Sequence, residues 1–162
     1  LAGHSCPTVA GAYLLASRAL GRLYRSEVPR RGNFHVSCGD SLDEGVTGVI
    51  ASVLTLLTGA AGSGGFKGLA GQHSRRNLLA FGQGGGGTFT FRRLDDGSAV
   101  TLSLDLSSVP PDPRMGGLLQ ALLSGEASEA DGRDFRHLWQ DRVRRILLEH
   151  WDDPALVHIR SA

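Results

Sequence analysis

Two alternating runs constrain this chain most. Thr88-Phe89-Thr90-Phe91-Arg92-Arg93 and Val100-Thr101-Leu102-Ser103-Leu104-Asp105-Leu106 flank the turn-forming segment Asp95-Asp96-Gly97-Ser98. Side chains that switch polarity at every residue put one face of each run on a core, and the glycine-containing turn joins them as an antiparallel β-hairpin. No helix separates the two strands, so the pattern is not that of βαβ units. Helical stripes lie on both sides of the hairpin in sequence. The expected class is α+β, with an antiparallel sheet whose hairpin packs against helices.

The helices are read from their three- and four-residue steps. Val9, Tyr13, Ala16, Leu20, Leu23 and Tyr24 form one stripe, which predicts an amphipathic helix over 7–25. A strand follows at 33–38, with Phe34, Val36 and Cys38 on one face and His35 alternating away. Residues 42–58 read as a second helix with Asp43 and Glu44 in its first turn and Gly59 as C-cap. Residues 115–124 form a short helix. Ser128 with Asp131 resembles a capping box that opens a longer helix reaching about His150. Residues 155–159 read as a terminal strand or an extended tail.

Composition narrows the partners. A length of 162 residues suits one domain over 1–162, large enough for a proper core. A net charge of +1 gives no global reason to expect a nucleic acid or an anionic membrane. Gly45 to Phe66 carries no charge until Lys67, yet its continuous apolar part runs only from Val46 to Leu57, short of the roughly 20 residues a bilayer needs. Two cysteines are too few for a disulfide scaffold, which makes a reducing cytoplasm the default compartment. The chain opens at Leu1 and runs at once into a Gly-His-Ser-Cys segment, so an N-terminal stretch of the native protein is expected to precede this numbering.

That segment holds the candidate chemistry. Pro7 suits the first position of a helix, where a missing N–H costs nothing, and this makes Cys6 the N-cap. A thiol there faces unpaired backbone N–H groups and the positive end of the helix dipole, the setting in which cysteines ligate metals or attack electrophiles. His4 stands two residues before it. If the starts of the first two helices converge, Cys38 and Asp43 join His4 and Cys6 around one point, with Asp43 as a further ligand or as the group orienting His4. Thiolates with imidazole suit zinc or another late first-row metal. Three other readings stay open. Cys38 is a small buried hydrophobe, or pairs with Cys6 in a disulfide; Cys6 is a metal-free nucleophile with His4 as its base; or His4 or Cys6 holds a cofactor such as haem.

The glycine-rich stretch from Gly59 to Gly68 fails the phosphate-loop test, because it follows a helix and lacks Gly-Lys-Ser/Thr. It can still bring backbone N–H groups and Lys67 to a ligand. His73, beside Arg75 and Arg76, is the second candidate for contacting an anionic ligand at the mouth of the cleft. In the last helix Arg136, Arg142, Arg144 and Arg145 alternate with acids and read as a solvated face; His137 and His150 read as surface residues.

With these residues in view, the chain resembles the FmdE-like family, which takes its name from a component of formylmethanofuran dehydrogenase. That family's Gly-His-x-Cys-Pro-Gly segment is matched by Gly3-His4-Ser5-Cys6-Pro7-Thr8, with threonine for the last glycine. Its Asp-Ala-Ile helix start is matched by Leu42-Asp43-Glu44-Gly45, and its Thr-Gly-Cys-Thr-x-Gly-Lys-Gly by Thr58-Gly59-Ala60-Ala61-Gly62-Ser63-Gly64-Gly65. The resemblance covers residues 3–106 and leaves 115–162 as a helical C-terminal extension. Ala60 stands where the family often has cysteine, Cys38 matches the family's other cysteine only loosely, and the four-cysteine zinc ribbon of some members is missing. The resemblance implies an α+β core, a homodimer and a metal-capable His/Cys cleft, without implying a reaction.

Overall fold

The computed structural model describes residues 4–161; Gly3, the first residue of the opening motif, lies outside them. Helix α1 (Pro7–Tyr24) is followed by β1 (Phe34–Cys38), α2 (Thr47–Thr58), β2 (Leu79–Ala80), β3 (Thr88–Arg93) and β4 (Ala99–Leu104). A single 3₁₀ turn at Leu106–Ser108 leads to α3 (Met115–Ser124), α4 (Glu129–Arg144), a π-helical turn at Arg145–Glu149 and β5 (Val157–Ser161). The strands form one sheet in the order β2-β1-β3-β4-β5. The β1–β2 pair is parallel and the remaining pairs are antiparallel. The class is α+β, as the hairpin and the helical stripes require.

Register explains where the core lies. Val36 pairs with Phe91 and Phe91 with Val100, while Cys38 pairs with Phe89 and Phe89 with Leu102. All of these are buried, so one face of the sheet is a continuous apolar surface. α1 packs on β4 and β5 and α2 packs on α1; the buried Ala12, Leu14, Leu15 and Ala19 of α1 and Ile50, Ala51 and Leu54 of α2 belong to the same core. The opposite face carries His35, Ser37, Thr90 and Thr101; the two threonine hydroxyls bond at 2.8 Å. Gly11 sets the depth of α1 on the sheet. A Cβ there would sit 2.6 Å from a methyl of Leu104, so the missing side chain allows the helix to lie against β4.

Local signals explain most boundaries. Pro7 occupies the first turn of α1 and Cys6 caps it. Ser128 and Asp131 form the expected capping box at the start of α4, each side chain bonding to the other's backbone N–H. The second helix differs from expectation: it begins at Thr47, and Asp43 and Glu44 lie in the turns before it. Gly45 is the reason, since its φ of 55° is left-handed and breaks a right-handed helix at that point. The last helix also departs from a plain α-helix, because its final turn is π-helical. Among the described residues no helix is long and apolar enough to cross a membrane.

Candidate functional site: the cavity at the start of α1

The opening motif is built as its residue types dictate. Cys6 has an extended backbone (φ −133°, ψ 166°), and its Sγ accepts the Val9 N–H at 3.4 Å. The thiol is half-buried. Just before it, the Ser5 carbonyl accepts two donors from α4: the Trp139 indole N–H at 3.0 Å and the Gln140 amide at 3.3 Å. The His4 ring lies edge-on to Trp139, with centroids 6.4 Å apart. The segment ahead of α1 is thereby fastened to a helix more than 130 residues downstream.

Beside these contacts lies an open cavity of about 360 Å³. Its near wall is His4, Cys6, Pro7 and Thr8; its far walls come from Met115 and Leu119 on α3 and from Phe135, Leu138 and Trp139 on α4. Arg142 lines it as well, and its role departs from the solvated face expected for the α4 arginines. Its guanidinium donates to the carbonyls of Val109 (2.7 Å) and Leu106 (3.0 Å), and Arg145 donates to that of Pro110 (2.9 Å). Together they clamp the loop that forms the cavity floor. Burial, and then the charge of Arg145, holds the Arg142 pKa below the usual arginine range. Arg144 does pair with acids, Asp141 and Glu149, as expected of a surface arginine. His150 is half-buried and bonds Asp153 at 2.7 Å, so it is not a simple surface residue.

The four residues considered for one metal are not brought together. His4 and Cys6 share the cavity. Cys38 lies fully buried in β1 within the core, where burial and, less, the charge of Asp40 push its thiol up to about 11. Its alternation with Phe34 and Val36 turns it into the core, and it does not line the cavity that Cys6 lines. Asp43 is exposed in the turn before α2, because Gly45 keeps that segment out of the helix. Asp40 is spent on the glycine turn, accepting the Gly87 N–H at 2.8 Å. Ala60, at the family's cysteine position, is buried in the core. Metal sites held by protein alone need three or four donors around a point. Among the described residues no group of three His, Cys, Asp or Glu side chains gathers in that way, so the donor set does not fit such a metal.

The two residues expected to meet an anion also separate. Lys67 is exposed and lines neither this cavity nor the one that holds His73. His73 lines a second cavity, beside Arg30, Arg31 and Arg75, which shares no residue with the first.

Sequence reasoning does not find Met115, Leu119, Phe135, Trp139 and Arg142 as cavity residues. One signal is available. A tryptophan on an apolar stripe needs a partner for its indole N–H, and Trp139 finds it in Ser5.

In comparisons with known proteins, no family model and no curated protein matches this chain. The FmdE-like resemblance therefore stands on the quoted residues alone.

Proposed function

We propose that the cavity at the start of α1 binds a small, largely apolar molecule, with the Cys6 thiol and the His4 imidazole as its polar contacts. One observation carries this reading: the motif that resembles the FmdE-like family lines an apolar cavity of about 360 Å³. That volume lies within the range of roughly 300–1,000 Å³ typical of small-ligand sites, whose walls are apolar with a few placed polar groups. A His/Cys cleft that takes a small ligand is the reading of the motif itself, and the α3–α4 walls supply its apolar part. A metal in this cleft would need ligands from the bound molecule to complete those of His4 and Cys6. Two unpaired cysteines suit a reducing, cytoplasmic compartment. A homodimer suits the exposed apolar side chains of Val46, which precedes α2, and of Val49 and Leu56 on it.

Gly116 offers the direct test. It lines the cavity, and a Cβ there would meet nothing within 4 Å, so Gly116→Leu starts a bulky side chain in open space beside the site. The uncharged apolar dye N-phenyl-1-naphthylamine is titrated into untagged protein and its fluorescence followed. Saturable binding that Gly116→Leu abolishes, with the melting temperature of the variant retained, supports the reading. Equal binding by the variant overturns it. Metal analysis of the same untagged protein separates the alternatives: stoichiometric zinc lost in Cys6→Ala would favour a metal centre, and a Soret band would favour haem.

A further inference from the structure

We propose that the second cavity, between the α1–β1 connection and the loop before β2, is a binding site for the phosphoryl group of a small phosphorylated molecule. It stands independently of the His4–Cys6 cavity. The volume is about 320 Å³, and its walls are Arg30, Arg31, Gly32, Asn33, His73, Ser74, Arg75 and Leu94. Three arginines and a histidine thus line one depression that no acidic residue lines. Among the described residues none of the three arginines is ion-paired with an acid. Glu27 and Asp95, which line the adjoining cavity with Arg30, are both engaged by Arg93. Like charges gathered this way repel, and an anion between them reverses the sign of the interaction.

The site is also built. Arg75 is half-buried and lies over the backbone of Gly32: a Cβ on Gly32 would overlap its guanidinium, and one on Gly59 would fall 3.6 Å from its Nη1. Both glycines have left-handed φ, 80° and 77°. Arg31 is anchored by donating to the Leu56 carbonyl at 2.8 Å, and the Gly32 N–H bonds the Thr58 carbonyl. The carbonyls at the end of α2 take part of this positive charge, but they occupy only one donor of Arg31. Across the cavity, the loop is held by Arg75 N–H to Phe66 and by Ala61 N–H to Arg75. Within it Ala70, His73 and Asn77 take left-handed φ of 47°, 61° and 58°. Non-glycine residues in that region store strain, and such strain collects at ligand clamps. Planar guanidiniums suit a tetrahedral oxyanion through paired N–H donors; the neutral side chains of the wall are already engaged, Asn33 by the Tyr24 hydroxyl and Ser74 by the Phe66 carbonyl. A cavity of this size exceeds one phosphate, and Leu94 offers an apolar wall for the remainder of the molecule.

The test uses inorganic phosphate and pyrophosphate as probes, followed by amide chemical shifts of the full chain, with sodium chloride at matched ionic strength as the control. Phosphate is expected to move the amides of Gly32, Ser74 and Arg75 in a saturable way. Arg30→Gln, an exposed side chain whose loss leaves the fold intact, is expected to weaken pyrophosphate binding about tenfold, as loss of one charged hydrogen-bond donor does. Arg75→Gln does the same or more. Arg76→Gln, the neighbouring arginine outside the cavity, leaves binding within about twofold, on the scale of a screened surface charge that does not line the site. The proposal is overturned if chloride reproduces the shifts, or if Arg30→Gln and Arg76→Gln behave alike. Saturable binding of a single-stranded oligonucleotide where phosphate and pyrophosphate fail would overturn it in favour of a nucleic-acid surface.

Discussion

The indole N–H of Trp139 and the carbonyl oxygen of Ser5 meet at 3.0 Å, joining the start of the described chain to α4 across 134 residues. This bond holds the segment bearing His4 and Cys6 against α4. Trp139→Phe keeps the ring in the cavity wall and removes the donor, leaving Ser5 with only the longer bond from Gln140. The expected cost is about 1 kcal/mol of stability, the net worth of one intramolecular hydrogen bond. Binding of the apolar dye should weaken with it, because the near wall loosens. Hydrogen exchange of the first-turn amides of α1 checks this directly. Unchanged protection at Val9 would mean that Ser5 is held by something else.

The two cysteines should differ sharply in reactivity. Cys6 is half-buried at the helix start, whereas Cys38 is inaccessible and pushed up to about 11 by burial and Asp40. Iodoacetamide at pH 8 is expected to label Cys6 alone, with Cys38 reacting only in denaturant; intact mass and peptide mapping read the result. The same shift predicts a pH dependence. The folded thiol keeps its proton above the ordinary value of 9.0, so its contribution is complete below pH 9 and is lost as pH rises toward 11. Cys38→Ala should flatten that alkaline limb of the stability curve, whatever its effect on stability at neutral pH.

What is legible in the sequence is what local chemistry decides. The Cys6-Pro7 start of α1, the Ser128–Asp131 box and the alternating hairpin each depend on neighbours within four residues or on a strand period of two. The apolar stripe misplaces the start of α2 because it says nothing of backbone sign, and Gly45 turns left-handed in the middle of it. The edge strand β2 has two residues, too few to show any period. The cavity is hidden for a different reason. Phe135 and Trp139 form an apolar stripe on α4 whether they face a core or an opening, and only the packing of α4 against α3, which brings Leu119, decides which. The metal set meets the same limit: His4 and Cys6 are local neighbours, but bringing Cys38 and Asp43 to them requires a convergence of helix starts that no local pattern encodes, and in the fold Cys38 lies in the core while Asp43 sits on an exposed turn.

Two glycines of α1 should respond to added side chains in opposite directions. Gly21 sits on an exposed face with nothing within 4 Å of a new Cβ, so Gly21→Ala is expected to stabilise by about 0.5–1 kcal/mol through helix propensity. Gly11 faces Leu104 and Leu106, with Leu104 methyls at 2.6 and 3.0 Å from a built Cβ. Gly11→Val forces α1 off β4 and should cost about 1–3 kcal/mol, as overpacking does. Chemical denaturation of both variants checks the contrast. Similar behaviour would show that α1 does not lie as closely on the sheet as these contacts require.

Acid should weaken the junction between the π-helical turn and β5. Asp153 accepts from His150 at 2.7 Å and from the Ala155 N–H at 2.8 Å, and these bonds, the histidine's first, hold its carboxyl below the ordinary range. A carboxylate depressed in the folded state stabilises at every pH above its unfolded value and loses that contribution as pH falls through the folded one. β5 pairs with β4, so the loss is expected first as faster exchange at Val157 and Ile159, below about pH 4, the usual range of an unfolded aspartate. Asp153→Asn keeps the shape and removes the titration. Its stability should vary less with pH over that acid range than the wild type's, while at neutral pH the variant is the less stable of the two. A wild type and variant that lose stability in parallel through the acid range would show that Asp153 does not control this end of the sheet.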